Sequence, residues 1–201
     1  MQKTVLRELY CKRRLSMTEV ARTLGTTHAT VLYWLRKFGI PRRSWSESTY
    51  VKLNPGGDPF HIKQRLSESD RELSAAALAL YLAEGNKHNG AVRIGNLDAE
   101  ILRLFARFLR EIGGVVEDRL SVYVRVNRPF SLKPAQRYWA RKLNLQAKQV
   151  RVYRHTDHRS NPTRQSSSYG IATLEFHNVK FRRWLQEAMQ QLIRRQLRDI
   201  R

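Results

Sequence analysis

The sequence predicts an α+β protein in two parts: an all-helical N-terminal domain, then a larger unit of helices and strands. Three observations predict it. Residues 4–38 carry only the three- and four-residue apolar spacing of helices, punctuated by glycine. Residues 40–67 lose that periodicity and hold three prolines and the run NPGGDP. Beyond them, helical stretches give way to segments of strict two-residue alternation, "RLSVYVRVN" and "QVRVYRH". The expected boundaries are residues 1–45 for the first domain, 46–67 for a linker and 68–201 for the second domain.

Residues 4–13 read as a first helix with Val5, Leu6, Leu9 and Tyr10 on one face. Ser16 or Met17 opens a second, "MTEVARTLG", in which Ala21 is small enough for a close helix crossing and Gly25 suits a positive φ. Thr26 and Thr27 can cap "HATVLYWLRKF", which stops at Gly39 with Pro41 just beyond. Val31, Trp34 and Leu35 form its inner face. Cys11 is the only cysteine, so there is no disulfide framework and no Cys-based zinc site, and it is expected to be a buried small residue.

In the second domain, the S-x-x-E spacing of Ser69 and Glu72 starts a helix near Asp70. That helix runs to Glu84, where Gly85 stops it. Ala75, Ala79 and Ala83 are four apart and fall in one row, so another helix can approach closely there. Two such helices side by side would bring two copies of Glu84 together. A carboxylate at a helix C-terminus is electrostatically misplaced, and a divalent cation removes the conflict.

The chain has 38 Lys and Arg against 17 Asp and Glu, a net charge of +21. That excess points to a polyanion, nucleic acid first, because neutralised phosphates release counterions. The arginines are spread through every element, unlike a membrane-surface helix. No apolar run approaches the roughly 20 residues of a membrane span, and the charged start does not resemble a secretory signal. A cytoplasmic, nucleoid-associated protein with no small-molecule substrate is expected.

Helix, Gly turn, helix, with Ala21 and Gly25 four apart and Val31 six later, is similar to the helix-turn-helix over residues 15–38. The resemblance implies that the second helix enters a major groove, with Thr27, His28, Thr30, Tyr33, Arg36 and Lys37 outward. Arg42 and Arg43 would follow the backbone. On the strands, Arg119, Ser121, Tyr123, Arg125 and Asn127 oppose Leu120, Val122, Val124 and Val126. Arg151, Tyr153 and His155 likewise oppose Val150 and Val152. With Arg93 on the preceding strand, these side chains make a basic sheet surface of a kind that enters a major groove. The loop holding His155, Asp157 and His158 reads as a polar surface loop before it reads as a metal site.

"ALALYLAEG", Ala77 to Gly85, resembles the LAGLIDADG helix of homing endonucleases, with Ala79 for a close-packing Gly, Glu84 for the metal-binding acid and Gly85 for the closing Gly. The segments that follow are also similar to that family. They are the strand and amphipathic helix of "AVRIGNLDAEILRLFARFLREIGG", capped by Asp98, then the later strands and the terminal helix "VKFRRWLQEAMQQLIRRQ". The resemblance spans about residues 70–195. It implies a saddle-shaped, mainly antiparallel sheet and a homodimer through Ala75, Ala79 and Ala83. It further implies Mg²⁺-dependent cleavage of double-stranded DNA, with Glu84 as metal ligand and Asn96 and His177 beside it. The sequence departs from the family in four places: Leu82 stands where a second acid is frequent, the first hairpin is short, an extra segment starts near Pro134, and the residues before the last helix are His177 and Asn178. Two other functions stay open: a transcription regulator that keeps the fold without cleavage, and an RNA-binding or RNA-maturation protein.

Overall fold

The structure is a computed structural model that describes residues 1–86, 90–126, 131–154 and 168–198. It is mixed α and β, in two compact units, Met1–Pro59 and Phe60–Arg201. The stretch expected as a linker divides between them. A helix, Trp45–Leu53, belongs to the first unit, capped by Ser44 with Glu47 in a reciprocal box. Phe60, Ile62 and Leu66 pack on the core of the second. Periodicity missed the helix because it buries no residue.

The first unit holds α1 (Lys3–Leu6), a π-helical turn (Arg7–Lys12), α2 (Met17–Thr23), α3 (His28–Lys37) and α4 (Trp45–Leu53). Ser16 caps α2, and Glu19 reaches back to the Ser16 N–H at 2.7 Å. Gly25 and Gly39 take φ of 60° and 63°, the left-handed conformation that ends each helix. Leu6, Leu9, Tyr10, Val20, Ala21, Val31, Leu35 and Ile40 make the core, with Trp34 partly buried against it. Cys11 is exposed, not buried. The wider π turn sets Leu9 and Tyr10 inward and leaves Cys11 outside, and Val5 of α1 is also exposed.

The second unit begins with α5 (Glu68–Glu84). Its cap is Ser67 rather than Ser69: the Ser67 hydroxyl accepts from the Asp70 N–H, and Asp70 Oδ2 accepts from the Ser67 N–H at 2.8 Å. Lys63 decides the register, because its Nζ also bonds Asp70, at 2.8 Å to Oδ2 and 3.0 Å to Oδ1. The Lys63 bond, then the Ser67 N–H, hold the Asp70 carboxyl down at about 2. A depressed carboxylate contributes stability above its unfolded value, and that contribution drains as pH falls through the folded one. Asp70→Asn should therefore lower the melting midpoint at pH 7. The gap from the wild type should shrink as pH falls from about 4 to about 2. A gap unchanged at pH 2 would assign the effect to shape instead.

Then come β1 (Ala91–Asn96), α6 (Ala99–Glu111), β2 (Leu120–Val126), α7 (Leu132–Leu143), β3 (Val150–Arg154), β4 (Ile171–His177) and α8 (Val179–Gln196). The sheet order is β1-β4-β2-β3. β4 runs antiparallel to both β1 and β2, while β2 and β3 are parallel, joined through α7. The sheet is thus mixed, with its one parallel pair at an edge. Asp98 caps α6 as expected, its carboxylate accepting from the Glu100 N–H at 2.8 Å. Leu102, Phe105, Phe108, Leu109 and Ile112 of that segment are buried and Ile101 is half-buried. Val92, Ile94, Val122, Val124, Leu174 and Phe176 meet the helices in one core, with Trp139 of α7 and Phe181 of α8. No described helix is long and apolar enough to cross a membrane.

Candidate nucleic-acid interface

The first unit presents the outer face of α3. Thr27 caps it, its hydroxyl accepting from the Thr30 N–H at 3.2 Å and lying 2.9 Å from the Thr30 hydroxyl. Thr27, His28, Tyr33, Arg36 and Lys37 are exposed and Thr30 is half-buried. Lys37 Nζ lies 4.8 Å from the Trp34 ring centre and 5.8 Å from that of Tyr33, so its stem is laid along the aromatic pair. Arg42 is exposed. Arg43, expected on a phosphate, is a structural tie instead. It donates to the carbonyls of Arg14 at 3.0 Å and Tyr10 at 3.4 Å and also to that of Leu15, and stacks 4.1 Å over the Tyr10 ring. The carbonyls at the end of the π turn have no helical partner, and a guanidinium supplies several donors at once.

The second unit presents the sheet. Its helices cover the face carrying Val92, Val122, Val124 and Leu174, and the alternate residues stand on the other face. On β2 and β3, Tyr123 pairs in register with Arg151, and Arg125 with Tyr153. Arg151 Nη1 donates to the Tyr123 hydroxyl at 3.0 Å, while Arg125 and Tyr153 are exposed. Arg119 is not on the strand as expected. It ends the 3₁₀ turn Glu117–Arg119, where its N–H bonds the Val116 carbonyl at 2.9 Å and holds it short of the sheet. Asn127, His155, Asp157 and His158 lie outside the described residues.

Arg93 stands on this face but is not free to follow a phosphate backbone. Its Nε lies 2.8 Å from Glu175 Oε2, and its Nη2 donates to Glu175 Oε1 at 2.9 Å. Glu175, 3% exposed, is the acid that sequence reasoning missed. The available signal was its phase: a lone carboxylate at an outward position of β4, in register with Arg93. Its hydrogen bond holds the Arg93 guanidinium above the usual arginine range, so Arg93 stays charged. His177 Nε2 contacts the same carboxylate and is itself exposed.

On α5, Leu73, Ala77, Leu78 and Tyr81 face the core, and Ala75, Ala79 and Ala83 are exposed in one row. Glu84 is exposed in a last turn that contains no basic residue. Gly85 closes the helix with its N–H on the Tyr81 carbonyl at 2.8 Å. A side chain there would sit 2.4 Å from the Tyr81 ring and 2.5 Å from its carbonyl oxygen. Gly85 then bridges to Ile94, which sets the end of α5 beside β1, two residues from Asn96. Asn96 is turned to local work, its Oδ1 accepting from the Asp98 N–H at 2.9 Å. His177 is opposite Ala91, at the other end of β1. That is roughly 10 Å along the strand from the Gly85 bridge. The structure brings Glu84 and Asn96 to one end of β1 and separates His177 from both.

Among the described residues, no group of three or more His, Cys, Asp or Glu converges as a metal site. One chain offers a single outward carboxylate at the end of α5, so a cation there would need a second copy to complete its ligands. No family model matches the chain, and neither a curated protein nor a solved structure does.

Proposed function

We propose that this chain is a sequence-specific double-stranded DNA-binding protein of LAGLIDADG type with an N-terminal helix-turn-helix. It acts as a homodimer through α5 and cleaves DNA with a divalent cation, Mg²⁺ first, held by paired Glu84 carboxylates. The observation that carries the reading is the open face of the sheet. It sets Arg125, Arg151, Tyr123 and Tyr153 outward while Val122, Val124, Val126 and Val150 behind them are buried and Val152 packs on the same core. A twisted basic ribbon of this width fits a major groove. The exposed polar face of α3 offers a second groove reader. The fit of a cation rests on Glu84 itself, an exposed acid at the negative end of a helix with no basic neighbour in that turn. Bound there, Mg²⁺ would polarise a phosphodiester and activate water. The chain's own contribution is to present the two carboxylates and to fix the duplex on the sheet.

A second reading, a regulator that binds DNA without cutting, is favoured by one observation. Asn96 and His177, expected beside the metal, are engaged by Asp98 and Glu175. Purified protein incubated with supercoiled plasmid and Mg²⁺ separates the two readings by nicking or its absence.

Duplex affinity should fall steeply with salt. Arg36, Lys37, Arg42, Arg125 and Arg151 give about five phosphate contacts per chain, each adding about −0.9 to the slope of log K against log salt. A slope near zero would remove nucleic acid as the partner. Tighter binding to RNA in competition would move the substrate class to RNA.

A further inference from the structure

The geometry points to Glu175 as a positioning residue that aims Arg93 at a guanine; the inference rests on the sheet face being the DNA-reading surface. A guanidinium has two hydrogen-bonding edges. Glu175 faces the side edge: Nη2 donates to Oε1 at 2.9 Å, and Nε stands 2.8 Å from Oε2 in ion-pair contact without a hydrogen bond. Nη1 has no hydrogen-bond partner among the described residues, which leaves the end edge, Nη1 and the second N–H of Nη2, open. Two parallel N–H donors match the O6 and N7 acceptors of guanine in the major groove. The carboxylate is 3% exposed and already engaged, so it does not itself meet the nucleic acid. Its function is to hold a flexible side chain in one orientation before DNA arrives, which lowers the ordering cost of binding.

Position supports the same assignment. Arg93 and Glu175 are directly paired across β1 and β4, and Glu175 is also paired with Ser121 of β2. The fork therefore stands on three hydrogen-bonded strands and not on a loop. Arg125 differs: it is exposed and, among the described residues, has no such buttress, as suits a phosphate contact. His177 reaches the same carboxylate from two residues along β4.

The test is selection of bound duplexes from a randomised pool, followed by affinities for the preferred duplex and for single-base substitutions. In the wild type, one G·C pair per half-site should be preferred by about 10- to 100-fold. Glu175→Gln keeps the volume but turns an amide N–H₂ toward a guanidinium N–H, so the fork breaks. It should erase that preference while affinity for unrelated duplexes is held or rises. Arg93→Lys, on a partly exposed side chain that the fold tolerates, keeps the charge and cannot make the two-point contact. It should erase the same preference, and the double variant should lose no more than either single one. Arg125→Ala should weaken all duplexes alike. Retention of the preference in Glu175→Gln or in Arg93→Lys would overturn the proposal. A uniform loss in Arg93→Lys would do so as well. If the wild type shows no duplex preference at all, the DNA reading fails at that first step and the proposal with it. Melting midpoints of each variant keep a folding defect distinct from a lost preference.

Discussion

Replacing Glu84 with Gln is expected to abolish plasmid cleavage while the protein stays folded and bound to DNA. Glu84 is exposed, so the substitution removes no core contact. It lies in the last turn of α5, which carries no basic residue, so its charge opposes the helix dipole. Two copies at a two-fold axis would add their mutual repulsion. Loss of the charge should therefore leave the melting midpoint in EDTA unchanged or raised. Affinity for DNA in EDTA should hold or rise, because a carboxylate no longer faces phosphate. Cleavage should fall by at least about 100-fold, since losing even an outer partner of a metal ligand costs about 10- to 100-fold. Full cleavage by Glu84→Gln would end the nuclease assignment, and a fall in the EDTA midpoint would make Glu84 a structural residue.

Ala79→Leu is expected to dissociate the dimer without disturbing the monomer. Ala79 is exposed within one chain, while its neighbours Ala77 and Leu78 are buried, so the larger side chain enters no part of the core of its own unit. Across a two-fold contact it is inserted twice. Each overpacking costs about 1–3 kcal/mol, so the dimer dissociation constant should rise by roughly 30-fold to 10⁴-fold. Light scattering across a dilution series reads this directly. An unchanged dimer would place the interface elsewhere, and a monomeric wild type would remove the paired Glu84 site altogether.

The features legible in the sequence are those set by neighbours in the chain. Gly25 and Gly39 announced left-handed helix ends, Thr27 and Asp98 announced caps, and the Val-rich strands announced their buried phase. Errors arose where a distant residue decides. Ser67 displaced Ser69 as the cap because Lys63 holds Asp70. Arg43 and Arg93 looked like free surface charges because nothing local reveals that Tyr10 or Glu175 will meet them. The parallel pairing of β2 with β3 depends on where α7 returns the chain, which alternation along a strand does not encode. At the candidate site, Glu84 was legible from the end of its helix. The separation of His177 from it was not, since it follows from a register between strands far apart in sequence.

The strand order has a consequence for how this protein is made. β4 lies between β1 and β2, and the pair Arg93 and Glu175 that joins it to β1 is 82 residues apart in sequence. On a ribosome, β1 and β2 emerge long before the strand that separates them in the finished sheet. In that interval β1 is held by its bridge to Gly85 and by hydrogen bonds from Asn86 to Arg93 and Ala91, and the edge of β2 that awaits β4 offers unpaired N–H and C=O groups. Such edges pair readily with a neighbouring nascent chain. The sheet of the larger unit can therefore close at its own centre only once residues 171–177 are available to pair with both β1 and β2.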